Sequence, residues 1–157
     1  MSPALAWAHV IPLLWTGPPW AAMSTVAGAV LALAGLALAF VAQHTMGASW
    51  RIGVDTTERT DLITHGLFAL IRNPIFTALL MIQLGTTLMA PTCVTLIGLG
   101  ALVLATQVQV RLVEEPYLLA THTITYPKYA TRAGRFLPLL GRLHFAGKRA
   151  GTRAAPP

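Results

Sequence analysis

Apolar and polar positions fall along this chain in long blocks. The clearest apolar block runs from Ala21 to Ala42, 22 residues without a charge and with only Ser24 and Thr25 polar. Roughly 20 apolar residues cross a bilayer core, so this block predicts a membrane-spanning helix. Within it Gly28 and Ala32, then Gly35 and Ala39, repeat the small-xxx-small spacing that lets helix backbones approach in lipid, which predicts a tight helix pair. A second charge-free block covers 38 residues, 73–110. As one helix it would be about 57 Å long, nearly twice a bilayer core, so it has to fold back. The break is expected at Ala90-Pro91-Thr92, because proline disfavours helix in the residue before it and suits a helix's first turn. That gives spans at 74–90 and 92–110. Pro3 to Trp15 is apolar but short and ends at Gly17-Pro18-Pro19; it reads as a marginal or tilted first span, or as a re-entrant segment. No Lys or Arg precedes it, so it is not read as a signal peptide. The expected fold is all-α, an integral membrane bundle of three to four transmembrane helices with interfacial cytoplasmic helices.

Composition strengthens this picture. Of 157 residues 55% are hydrophobic and 10% charged, against about 25% charged in a typical soluble domain. Residues 1–50 carry no charge, 51–72 carry three Arg and three acids, and 111–157 carry eight Lys/Arg against Glu114 and Glu115. Both charged blocks are therefore expected on the positive, cytoplasmic side. Nine Arg against two Lys, with abundant Ala, points to a GC-rich genome and so to a bacterial inner membrane. The chain divides into N-terminal transmembrane helices (1–45), a core of interfacial loop, hairpin and cap (46–140), and a basic tail (141–157) expected to be disordered. That tail has no aromatic platform or reading motif for nucleic acid, so anionic lipid head groups are its expected partner. The single cysteine, Cys93, excludes an intrachain disulfide. The five His show no ligand spacing, and no metal site is expected.

Finer elements can be placed in the charged blocks. Ile63, Leu67, Leu70 and Ile71 recur at helical spacing, which predicts a short interfacial helix weakened by Gly66. Pro116 suits a first turn, so the last span should kink or end at Glu115 and an interfacial helix begin. Pro127 should break that helix, and Gly134 should end the next turn.

Two adjacent carboxylates at membrane depth are costly unless paired or functional, which makes Glu114 and Glu115 candidate site residues. The bland alternative is that they only close a span in the head-group layer. The order of motifs decides between the two. His65-Gly66-Leu67-Phe68, Arg72-Asn73-Pro74-Ile75-Phe76, an apolar hairpin, Glu114-Glu115, Tyr126-x-x-Tyr129 and Arg135-Phe136-x-Pro138 together resemble the isoprenylcysteine carboxyl methyltransferase family, which is related to the phospholipid N-methyltransferases. The resemblance covers about residues 47–140.

The resemblance implies that the C-terminal half binds S-adenosylmethionine from the cytosolic side and methylates a lipophilic small molecule or a lipidated substrate arriving from the bilayer. Glu114 and Glu115 would accept hydrogen bonds from the cofactor's ammonium or ribose hydroxyls and suit its sulfonium charge. Gly66 would let backbone approach the cofactor, with His65, Phe68 and Pro74 in the same cofactor-binding group. Arg72 and Asn73 would serve its carboxylate, Tyr126 and Tyr129 would wall the pocket, and Arg135 would orient an anionic acceptor. The catalytic pair implied is Glu115 and Arg135. Without the family order, Arg72 reads as a snorkelling span anchor, the two Tyr as aromatic belt, and Arg135 as a head-group contact.

Asn73 stands where the family pattern has His, and Phe76 where it has Tyr. Asn cannot titrate near neutral pH, so an acid/base role is lost at that position. Methyl transfer from an activated sulfonium depends chiefly on positioning, so the change bears on the acceptor more than on the reaction class. The acceptor stays open between carboxylate and amine, and the oligomeric state is open. Two other readings stand beside the enzyme: a non-catalytic lipid- or partner-binding membrane protein, and a nicotinamide-dependent membrane reductase.

Overall fold

The computed structural model describes residues 19–47 and 62–143. Among them the chain is helical, with a single isolated β-bridge between Ile71 and Gly134. Helix α1 spans Trp20–Met46, α2 Pro74–Met89 and α3 Cys93–Val108. The winding then widens into a π-helical turn, Gln109–Glu114, and resumes as α4, Glu115–Thr121; α5 follows at Thr125–Ala130. Two helices are long and apolar enough to cross a membrane, Trp20–Met46 and the continuous run Cys93–Thr121. Helix α2, with 16 residues, is about 24 Å long and shorter than a bilayer core. The protein is a membrane helix bundle, as its hydropathy predicts. The segment Pro3 to Trp15 and the tail from residue 144 lie outside the described residues.

Helices α1 and α2 form the tight pair that the small-residue spacing predicts. A Cβ on Gly28 would come within 2.5 Å of the Gly85 carbonyl oxygen, and one on Gly35 within 2.9 Å of that of Ala78. Rising numbers on α1 meet falling numbers on α2, so the pair is antiparallel. Small residues are needed here because, in lipid, helix association depends on backbone proximity and dispersion rather than on water exclusion. The opposite face of α1, with Trp20, Met23, Val26, Val30, Leu33 and Phe40, is exposed, as a lipid-facing surface should be.

The break between α2 and α3 falls at Ala90, Pro91 and Thr92, as expected. Thr92 caps α3: its hydroxyl accepts from the Thr95 N–H at 3.1 Å, while the Thr95 hydroxyl accepts from the Thr92 N–H at 3.0 Å. The Gln83 side chain and the Thr87 hydroxyl both donate to the Thr95 carbonyl, so the hairpin is tied near its turn. The end of α1, the start of α2 and the end of α3 consequently share one end of the bundle, where residues 62–73 and 109–143 form a cap.

Two expectations for this cap are corrected. The interfacial helix expected through Ile63, Leu67, Leu70 and Ile71 is only a 3-10 turn, Gly66–Ala69. Gly66 enters it at φ +60°, outside the right-handed region, and Ile71 leaves it to bridge Gly134. Pro127 does not break a helix; it lies in the first turn of α5, where a missing N–H loses no intrahelical bond. The helix is interrupted earlier, by a turn at His122–Ile124 between α4 and α5.

Candidate active site

The π-helical turn has a local cause. Pro116 has no N–H for the Leu112 carbonyl and its ring crowds that oxygen; widening the preceding turn absorbs both, and the Glu115 N–H reaches back five residues to the Val110 carbonyl. Such wide turns change which side chains face inward, and they gather at functional sites. Here the turn delivers Glu115 to the interior, where only 7% of the residue is exposed.

Arg72 reaches the same point from the 70–74 segment. Its N–H donates to the Gly134 carbonyl at 2.8 Å, and the Gly134 N–H donates to the Leu70 carbonyl at 3.0 Å. Gly134 has to be glycine, because a Cβ there would overlap the Leu137 carbonyl oxygen. Asn73 strengthens the clasp: both its backbone N–H and its side-chain amide donate to the Arg135 carbonyl at 3.1 Å. At the position where the family pattern has His, this chain thus has an amide that pins the Arg135 segment.

Two guanidinium groups converge on one carboxylate. Glu115 Oε1 accepts from Arg135 Nε at 2.8 Å and lies 3.0 Å from Arg72 Nη1, while Oε2 accepts from Arg135 Nη2 at 2.9 Å. Arg72 continues outward, donating from Nη1 to the Tyr126 hydroxyl at 3.0 Å and from Nη2 to the Gly141 carbonyl at 2.7 Å. The Arg72 guanidinium carbon also lies 5.9 Å from the centre of the Tyr126 ring. Its Nε is buried and has no partner among the described residues. Tyr129 donates its hydroxyl to the Phe68 carbonyl at 2.7 Å, fixing the 3-10 turn beneath it. Burial pushes the Tyr126 hydroxyl above the ordinary tyrosine range against the pull of Arg72, and burial pushes that of Tyr129 up as well. Both phenols stay neutral at physiological pH.

These groups border a half-open cavity of about 160 Å³. Of the sequence-predicted residues, Phe68, Arg72, Asn73, Glu114, Glu115, Tyr126 and Tyr129 line it. Glu114 takes a hydrogen bond from the Gln109 side chain. Four predicted residues do not line the cavity. Arg135 binds Glu115 from outside it, Pro74 is fully buried at the start of α2, His65 caps the 3-10 turn from an exposed position, and Gly66 packs beside Thr45 of α1. His122 and Leu118 line the cavity and were missed by sequence reasoning. Leu118 and His122 follow Glu115 by three and seven residues, the spacing of one helix face, and that spacing carried the signal.

A family model described as phospholipid methyltransferase matches residues 23–123, nearly two thirds of the chain. The chain belongs to the phospholipid methyltransferase family. No curated protein matches it. The family match runs from α1 to just beyond α4, so it includes Arg72, Glu114, Glu115 and His122, while Tyr126, Tyr129 and Arg135 lie past its end. Membership in the phospholipid methyltransferase family implies methyltransferase activity in a membrane, and it agrees with the resemblance drawn from the motifs.

Proposed function

We propose that this protein is a membrane-embedded methyltransferase that uses S-adenosylmethionine and acts on a lipophilic acceptor, a carboxylate or an amine, at the cytoplasmic face of a bacterial inner membrane. The observation that carries the reading is the cavity at the charged end of the bundle, where Arg72 lines the wall with a buried Nε that has no partner among the described residues. Such an orphaned donor suits an anionic ligand group.

The donor set fits the amino-acid half of the cofactor. Arg72 Nε and the remaining amide N–H of Asn73 would hold its carboxylate, and Glu114 would accept from its ammonium group or ribose hydroxyls. Phe68, Tyr126 and Tyr129 would wall the site, and aromatic faces suit a sulfonium charge. The role that the resemblance gave to Glu115 passes to Glu114 in this reading, because Glu115 already engages both oxygens with Arg72 and Arg135. Glu115 and Arg135 then act as positioning residues for Arg72. When bound, the cofactor supplies a methyl group activated by positive sulfur. The chain's contribution is to hold and orient it and to exclude water. A position at the membrane boundary lets a water-soluble cofactor and a greasy acceptor meet. The cytoplasmic orientation rests on the excess of Lys and Arg after residue 111.

The test is equilibrium binding of S-adenosylmethionine and S-adenosylhomocysteine to the full chain in detergent, wild type beside Glu114→Gln. Micromolar binding that Glu114→Gln weakens at least tenfold, about 1.4 kcal/mol, is expected. A folded protein that binds neither compound at millimolar concentration would sink the proposal. Transfer of a labelled methyl group into lipid-extract fractions then identifies the acceptor class.

A further inference from the structure

The chain from Arg135 to Gly141 makes a closed loop whose purpose the cavity does not explain. Its base is fastened at the head of α2: the Arg135 N–H donates to the Leu140 carbonyl at 2.7 Å, and Arg72 holds the Gly141 carbonyl. Going into the loop, the Arg135 carbonyl meets Asn73, and the Phe136 carbonyl accepts from the Thr77 hydroxyl at 2.6 Å. Thr77 is one turn further down α2 than Asn73. At Phe136 the loop therefore touches α2 one turn below its head, before the Leu137 and Leu140 carbonyls return to Gly134.

Its tip is Leu137-Pro138-Leu139-Leu140, with the three leucines 51%, 67% and 61% exposed. Leu139 has φ +70°, a left-handed conformation in which a water-facing turn would ordinarily have Gly or Asn. A bulky apolar residue held there and exposed is unfavourable in water. The flanks are basic: Arg132 precedes the loop, and residues 142–157 carry Arg142, Lys148, Arg149 and Arg153 with no acid.

We propose that the Leu137–Leu140 tip is a lipid anchor that dips into the head-group and acyl boundary of the protein's own bilayer, with anionic lipid attracted to the flanking basic residues. Because the base of the loop holds Glu115 through Arg135 and receives Arg72 at Gly141, the anchor also fixes the height of the cavity wall at the membrane surface. The inference rests on the membrane bundle and not on the methyl-transfer reading.

The test uses the full chain with Cys93→Ser, which removes the single native thiol, reconstituted in vesicles of mixed zwitterionic and anionic phospholipid. Leu139→Cys, Leu140→Cys and, as a control, Arg132→Cys are each spin-labelled, and collisions with oxygen and with a water-soluble nickel chelate are compared. The labels at 139 and 140 should favour oxygen over nickel severalfold relative to the label at 132, and more strongly as the anionic fraction rises. Labels at 139 and 140 that meet nickel as readily as the label at 132 would show a solvent-facing turn and overturn the proposal. Exclusion of both relaxants would also overturn it, showing instead that a protein surface covers the tip.

Discussion

Arg135 grips Glu115 with a two-pronged contact, Nε to Oε1 at 2.8 Å and Nη2 to Oε2 at 2.9 Å, across 20 residues of sequence. Arg72 approaches Oε1 at 3.0 Å, so one buried carboxylate ties the head of α2 to the start of α4 and to the C-terminal clasp. The side chains are 2%, 10% and 13% exposed for Arg72, Glu115 and Arg135.

Glu115→Ala leaves two guanidinium groups without their shared anion. Breaking a buried pair by removing one partner costs about 3–5 kcal/mol, and the thermal unfolding midpoint in detergent should fall accordingly. Arg135→Lys should be destabilising in the same direction, since an ammonium cannot reproduce the two-pronged geometry. An unchanged midpoint in both variants would show that the triad does not hold the cap.

The helix pair is tested by two glycines of opposite surroundings. A Cβ on Gly85 would lie 2.5 Å from the Gly28 carbonyl oxygen and 2.7 Å from the Ala32 nitrogen, both backbone atoms, whereas one on Gly100 meets nothing within 4 Å. Gly85→Ala should force the helices apart, at about 1–3 kcal/mol or more. Gly100→Ala should be neutral or stabilising by up to about 1 kcal/mol through helix propensity. Denaturation of the two variants side by side separates close packing from a general sensitivity to substitution.

Gly134→Ala should loosen the C-terminal clasp, because the added methyl would run into the Leu137 and Leu140 carbonyl oxygens. The readout is limited proteolysis within residues 131–143. Cutting should be faster than in wild type while the α1–α2 pair stays intact, and equal rates would count against a clasp that depends on this glycine.

Tyr129 holds its proton more tightly in the fold than in the unfolded chain, since burial raises its pKa. Its contribution to stability is therefore complete below the ordinary tyrosine value of about 10 and disappears as pH rises through the higher folded value. Tyrosinate absorbance should show a late-titrating component that Tyr129→Phe removes. The same substitution should cost about 1 kcal/mol at neutral pH through loss of the bond to the Phe68 carbonyl. Complete titration near the ordinary value, before unfolding, would contradict the burial argument.

Much of the architecture was legible in one dimension. Hydropathy located α1 and the α2–α3 hairpin, Pro91 located the break, and Gly28 and Gly35 marked the face on which α2 packs. These are local properties: a span needs only its own length of apolar side chains, and a close helix contact needs only small residues every fourth position. The motif order also pointed to segments that the fold brings together, and seven of its candidates border one cavity.

Tertiary structure alone decided who binds whom. Arg72 meets Tyr126 across 54 residues and Gly141 across 69, and no local pattern states that, of two glutamates bordering one cavity, Glu115 pairs with both arginines and Glu114 with Gln109. That difference comes from the widened turn before Pro116, which sets which of two adjacent glutamates turns inward. Pro127 shows the same limit, since a proline that would break a helix interior is harmless in a first turn, and only the helix end at His122 tells the two apart. The sequence by itself determined the spans and the identity of the charged groups, through local hydropathy and packing size; the fold decided their pairing, because a buried charge is satisfied by whichever partner the chain's return path brings within hydrogen-bond reach.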